Sequence, residues 1–224
     1  MNIVLINGSP TGAQGSTGRL LAALENGARE AGAAVTLFDL GSLTVKPCNS
    51  CRTCQRIGTC VINDDYPQIK AAMLASDGIV LASPNYISNV SAQMKALLDR
   101  CFSMFHCQML HKKYGACVLA SGGPLYQNVE EYLLHVTGNS GCWKVGSVAT
   151  GGGLLDDSGE APEVLAAARD LGKRLAEAIK TQQRFPEQEE EREQCFEMMR
   201  WLVEENKDKW PYEYEYWQTH WGKS

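Results

Sequence analysis

No stretch of this 224-residue chain is apolar for long enough to cross a bilayer. The first residues, Met1-Asn2-Ile3-Val4-Leu5-Ile6, put no basic segment ahead of a long apolar core. They read as a strand rather than a secretion signal, and the expected location is cytoplasmic, away from membranes. Basic residues are in deficit. The 21 Lys and Arg stand against 26 Asp and Glu, and a net charge of -5 argues against nucleic acid, whose phosphates call for a basic surface. Histidine is scarce, and no Ser/His/Asp or Cys/His arrangement stands out as a hydrolytic site. His106, Cys107 and His111 lack any spacing that organises metal ligands. Internal repeats are absent too.

What is present is an alternation of strand and helix. Short runs rich in Val, Ile and Leu occur at 2–6, 34–39, 78–83, 115–120 and 144–149, apolar on both faces, as strands of a helix-covered parallel sheet read. Helical patterns lie between and after them at 17–31, 67–76, 91–105, 129–137 and 161–181. Five strands and five helices predict a doubly wound α/β domain over residues 1–181. Residues 182–224 differ. An acidic run at 187–193 precedes a helical pattern and then Trp210-Pro211-Tyr212-Glu213-Tyr214-Glu215-Tyr216-Trp217, with Trp221 close behind. Aromatics this dense need burial. The extension is expected to pack on its own domain, to cover a partner subunit or to roof the active site.

Three strand ends carry small and polar residues. After the first strand, Gly8 to Gly18 forms a loop of glycines and hydroxyls that runs into a helix. Its free N–H groups and dipole favour an anion, with Ser9, Thr11, Ser16 and Thr17 as further donors. The loop lacks the Gly-Lys-Ser/Thr ending of a Walker motif, does not keep the dinucleotide spacing, and holds no Lys or Arg before Arg19. The third strand ends in Ser83-Pro84-Asn85-Tyr86-Ile87 and the fourth in Ser121-Gly122-Gly123-Pro124. Open parallel sheets bind ligands outside such carboxyl ends. Pro84, Tyr86 and Ile87 offer a surface for a flat ring, and the glycine pair lets backbone approach its polar edge.

Nine cysteines are many for this length, and an odd count argues against a fully paired disulfide set. Cys48, Cys51, Cys54 and Cys60 crowd into one segment, an insertion at 46–62 behind the second strand. Structural zinc sites usually come as two separated pairs, whereas three closely spaced thiols with a nearby fourth suit a cubane [4Fe–4S] cluster. Zinc, or an empty or oxidised set of thiols, stays open as an alternative. Lys46, Arg52 and Arg56 flank the segment and either offset a cluster's charge, dock an acidic electron carrier or are plain surface charge.

On Gly8-Ser9-Pro10 with Ser16-Thr17, Ser83-Pro84-Asn85-Tyr86, Ser91-Ala92-Gln93-Met94-Lys95 with Asp99-Arg100, and Ser121-Gly122-Gly123, residues 1–180 resemble the NADPH-dependent FMN reductase family of flavodoxin-like proteins. The four cysteines narrow the resemblance to its iron-sulfur flavoproteins. The resemblance implies a flavodoxin-like five-stranded parallel sheet of order 2-1-3-4-5. It implies FMN phosphate on Ser9, Thr11, Ser16 and Thr17, the ring along Pro84, Asn85, Tyr86 and Ile87, and its pyrimidine side near Ser121, Gly122 and Gly123. It implies metal ligation by Cys48, Cys51, Cys54 and Cys60. Many relatives have Arg or Lys where Thr11 stands, so the phosphate here is less compensated. Lys95, Asp99 and Arg100 read as interface and helix-surface residues. No side chain is cast as acid or base, since flavin carries the chemistry. The leading expectation is an FMN oxidoreductase, with a [4Fe–4S] centre, taking electrons from NAD(P)H or reduced ferredoxin to a small acceptor as a homodimer or homotetramer. The alternatives are an NAD(P)H-dependent FMN, quinone or azo reductase without a cluster, and a non-catalytic electron carrier resembling flavodoxin.

Overall fold

The computed structural model describes residues 1–151 and 162–222; Ala161, expected to open a helix, lies outside them. Five strands, β1 (Asn2–Asn7), β2 (Ala34–Asp39), β3 (Gly78–Pro84), β4 (Tyr114–Ala120) and β5 (Trp143–Thr150), form one parallel sheet in the order β2-β1-β3-β4-β5. Alternating side chains feed two cores. Ile3, Leu5, Val80, Ala82, Ala116 and Val118 face one layer; Val4, Ile6, Ile79, Leu81, Cys117 and Leu119 face the other.

The first layer is α1 (Ser16–Glu30) and α7 (Pro162–Thr181), which bury Leu20, Leu21 and Leu24 against Ala168, Leu171 and Leu175. They approach so closely that a Cβ on Gly27 would strike the Arg169 carbonyl, and one on Gly172 the Leu24 carbonyl. The second layer holds α3 (Tyr66–Ala75), α4 (Ala92–Asp99), α5 (Phe102–His106) and α6 (Gln127–Asn139). The inner strands β3 and β4 are buried throughout, but the edge strands are half covered, and Leu37 of β2 is 43% exposed. The expectation of apolar cover on both faces therefore fails at the edges, where one flank has no neighbouring strand.

Two further departures matter. The helix expected over 91–105 breaks into α4 and α5, because the N–H groups of Arg100 and Cys101 bond three residues back, to Leu97 and Leu98. A short helix, α2 (Thr53–Ile57), lies inside the cysteine segment. Beyond residue 182, α8 (Glu189–Glu205) opens with Glu189, Glu190 and Glu191 at its dipole-positive end. Gln188 anchors it to the sheet edge, its amide accepting from the Lys144 N–H (2.9 Å) and donating to the Lys144 carbonyl (2.8 Å). The extension ends in α9 (Pro211–His220), whose Trp217 and the following Trp221 donate indole N–H groups to the carbonyls of His106 (2.9 Å) and Cys107 (3.0 Å). The aromatics thus cover α5. No helix among the described residues is long and apolar enough to cross a membrane.

Candidate functional site

A cleft of about 240 Å³ opens at the carboxyl ends of β1, β3, β4 and β5. It is lined by Ser9, Thr11, Ser16, Thr17, Pro84, Asn85, Tyr86, Ala120, Ser121, Gly122 and Thr150. Its rim is set by the sheet, since bonds continue past the strands from Gly8 N–H to the Ala82 carbonyl (2.7 Å), Asn85 N–H to Ala120 (2.7 Å) and Ser121 N–H to Thr150 (2.8 Å).

On one flank, Ser9 and Thr11 share a hydroxyl–hydroxyl bond at 3.0 Å, and the Ser9 N–H is held by Asn7 Oδ1 at 3.0 Å. Helix α1 starts at Gly15 with no side-chain cap, so the N–H groups of its first turn stay open to a ligand. A Cβ on Gly15 would run into the Thr11 hydroxyl. Among the described residues no Lys or Arg lines the cleft, so an anion here meets hydroxyls and a helix dipole.

On the other flank, the Asn85 amide donates to Ser121 Oγ and to the Leu125 carbonyl, both at 3.0 Å. A carbonyl can only accept, which fixes the nitrogen's position. Among the described residues, the buried Asn85 Oδ1 has no partner, and neither does the Thr150 hydroxyl. Leaving such groups unpaired costs about 1–3 kcal/mol each, so both call for a polar ligand. Tyr86 and Asn89 close a tight turn through reciprocal backbone bonds of 2.8 and 3.1 Å, with Ile87 (φ +51°) and Ser88 (φ +56°) left-handed between them. That is an unfavourable conformation for a β-branched residue. Ile87 is fully exposed, and neither it nor Gly123 lines the cleft.

Thr150 was not among the expected site residues because its strand was read as ending at 149, yet β5 carries one more residue into the cleft. Ser91 was read only as part of a motif. It caps α4 by accepting the Met94 N–H (3.1 Å) and donates to the Gly8 carbonyl (2.6 Å), tying the third strand's loop to the first.

The cysteine loop is held differently. Arg100, expected on a helix surface, is buried, its side chain 1% exposed. Its guanidinium donates to the Lys46 carbonyl (2.8 Å) and to both oxygens of Asp64 (2.8 and 3.2 Å), and so closes the loop's base. The break after Asp99 turns it inward. Burial alone would raise the Asp64 carboxyl, but the bonds from Arg100 and from the Lys46 and Tyr66 N–H groups hold it below the usual carboxylate range. Lys95 and Asp99 do lie on the surface, paired at 2.5 Å.

All four thiols are free. Cys48 and Cys51 are exposed, while Cys54 and Cys60 are half-buried. The Ser50 N–H lies 3.4 Å from Cys48 Sγ. Hydrogen bonds around Thr53 pull the Cys51 thiol down, and burial pushes the Cys54 thiol up. Among the described residues no three thiol, imidazole or carboxylate groups converge as a single metal ion would require, at this loop or around His106 and His111. The loop's donor chemistry, four thiols with neighbouring cations and no carboxylate ligand, fits an iron–sulfur cluster; the thiols do not form a mononuclear cage.

Comparison with known proteins agrees with this architecture. The sequence pattern of the NADPH-dependent FMN reductase family matches residues 1–153. A protein of Archaeoglobus fulgidus named iron-sulfur flavoprotein is 30% identical over 97% of this chain and 98% of its own length. One of Methanocaldococcus jannaschii with the same name is 33% identical over 80% of this chain and 98% of its own. Among solved structures, a flavone reductase superposes with a TM-score of 0.65 at 19% identity, covering 80% of this chain and 63% of that one; at that identity the likeness concerns the fold.

Proposed function

The chain belongs to the NADPH-dependent FMN reductase family, and from that premise we propose that it binds FMN in the cleft at the sheet's carboxyl edge. On this reading it passes electrons from NAD(P)H or reduced ferredoxin to a small acceptor, with an iron–sulfur cluster in the cysteine loop. The observation that carries the flavin reading is the pair of unpartnered buried oxygens, Asn85 Oδ1 and Thr150 Oγ1, in a cleft that the uncapped start of α1 also lines.

The first-turn N–H groups of α1 and the hydroxyls of Ser9, Thr11, Ser16 and Thr17 would hold a phosphate without a cation. Asn85 Oδ1 accepts only, so it selects a ligand that presents an N–H or O–H; a flavin's pyrimidine edge carries such an N–H between two carbonyls. Pro84 and Tyr86 offer an apolar face to the ring, and Ser121 with Gly122 keeps the backbone close beside it. Flavin, when bound, accepts electrons in pairs and releases them singly. A four-thiolate cluster would add single-electron transfer, with Cys48, Cys51, Cys54 and Cys60 as its ligands.

Anaerobically purified protein is expected to show flavin absorption with an added broad shoulder that bleaches on reduction, and equimolar FMN on extraction. A colourless preparation that refuses added FMN would overturn the flavin assignment. A second reading is a flavin reductase with no cluster, since two of the four thiols are exposed. Iron and sulfide analysis separates the two, and NAD(P)H oxidation with a quinone or dye tests the electron donor in either case.

A further inference from the structure

The C-terminal extension is the least expected contact of the cysteine loop. Glu213, on α9, is wholly buried although it carries a carboxyl group. Its Oε1 lies 2.7 Å from the Ser103 hydroxyl and its Oε2 2.9 Å from His106 Nδ1. The same Ser103 hydroxyl lies 3.0 Å from the carbonyl of Cys54. One turn of α9 earlier, the Trp210 ring stacks on His106 at 4.9 Å. Next to it, the Tyr212 ring fills the place where Gly58, at the end of α2, would otherwise carry a side chain. From the opposite side, Lys70 Nζ holds the Gly58 carbonyl at 3.2 Å. Cys54 therefore lies in, and Cys60 just beyond, a short helix gripped at both ends, whereas Cys48 and Cys51 are exposed.

A buried carboxyl group is costly and persists only where it is hydrogen-bonded. Glu213 does not line the cleft, and its carboxyl group is bonded to Ser103 and His106 beside the cysteine loop. We propose that the extension is a positioning device for the cysteine loop: Glu213 and the Cys54 carbonyl share the one hydrogen of the Ser103 hydroxyl, which ties α9 to α2, and together with Tyr212, packed on Gly58, this contact fixes Cys54 and Cys60 for cluster binding. In its final clause the inference rests on the cluster reading above; the placement of the two thiols does not. Outer groups of this kind typically govern metal retention without touching the metal.

The test uses full-length, FMN-loaded protein carrying Glu213→Ala, Ser103→Ala, Tyr212→Ala or the conservative Glu213→Gln. After anaerobic reconstitution with ferrous iron and sulfide, the three truncating variants should lose iron to a chelator about tenfold faster than wild type, while Glu213→Gln, which keeps an acceptor for Ser103, should stay within about twofold of wild type. FMN content should be unchanged in all four. In the iron-free proteins, alkylation of Cys54, mapped by mass spectrometry, should rise about fivefold in Glu213→Ala with Cys48 unaffected, as loss of one hydrogen bond predicts for local opening. If wild type takes up no iron, the cluster reading falls and the alkylation rates alone decide the placement of the thiols. Should Glu213→Ala fail to fold, seen as lost FMN, Ser103→Ala removes a single oxygen and carries the test. Wild-type iron retention in the truncating variants, or unchanged Cys54 alkylation, overturns the proposal.

Discussion

The cleft proposed for flavin and the cysteine loop are both reached from the sheet, yet they are built by opposite means. The cleft rim is backbone. Gly8, Asn85 and Ser121 extend the ladder of their strands by one more bond each, so the sheet that folds the domain also fixes the site. The loop lies beyond the ladder. Its order comes from side chains supplied by distant segments: Arg100 at its base, Lys70 and Ser103 along it, and Tyr212 on top. The first kind of site follows from burial of apolar strands, which is non-directional and redundant. The second depends on a few buried polar links, each costly to break on one side only.

The largest break in this comparison is expected from Arg100→Ala. It strands a fully buried Asp64, a loss of about 3–5 kcal/mol in denaturant unfolding. Thiol labelling should show the cysteine loop opening further than the cleft. Next, Gly15→Ala pushes a methyl group at the Thr11 hydroxyl within the phosphate loop. FMN titration should weaken by about a hundredfold, or about 2.7 kcal/mol, with the thiols untouched. A smaller effect of two signs is expected from Thr150→Val, which removes an unpartnered hydroxyl. The flavin-free protein should gain about 1 kcal/mol in thermal unfolding while FMN affinity falls about tenfold. Failure of either sign would mean that this hydroxyl does not meet the ligand.

A separate effect concerns pH. His111 packs against Phe196 and Trp221 of the extension at 5.1 and 5.3 Å. Burial, with Arg192 and Lys112 nearby, pulls its pKa down to about 4. The unfolded chain, with an ordinary histidine near 6.5, takes up a proton that the folded form refuses. Stability due to this site is therefore complete above pH 6.5 and is lost progressively as pH falls toward 4. Acid should loosen the extension, followed by Trp fluorescence, before it releases flavin, and His111→Phe should flatten that slope.

Much of the cleft is legible in the sequence because its residues follow strand ends directly. The strand pattern places the loops, and small residues at three neighbouring strand ends advertise a ligand. Thr150 escaped because one residue of β5 was cut short, an error that costs a site residue only at a carboxyl edge. Arg100 escaped for another reason. Its charge and its place within the helix expected over 91–105 are those of a solvated residue, and only a break in that helix, which brings it to Asp64 across 36 positions, buries it.

Local pattern alone carries the alternation that yields the parallel sheet, the uncapped, hydroxyl-rich start of α1 and the four-thiol spacing. These are local patterns, and periodicity or spacing records them. Tertiary structure alone decided where the aromatic extension lies, which arginine closes the cysteine loop and which oxygens go unpaired. Such matters turn on the meeting of single polar atoms, as when Ser103 meets Glu213 across 110 positions, and no run of neighbouring residues encodes a partner so far along the chain.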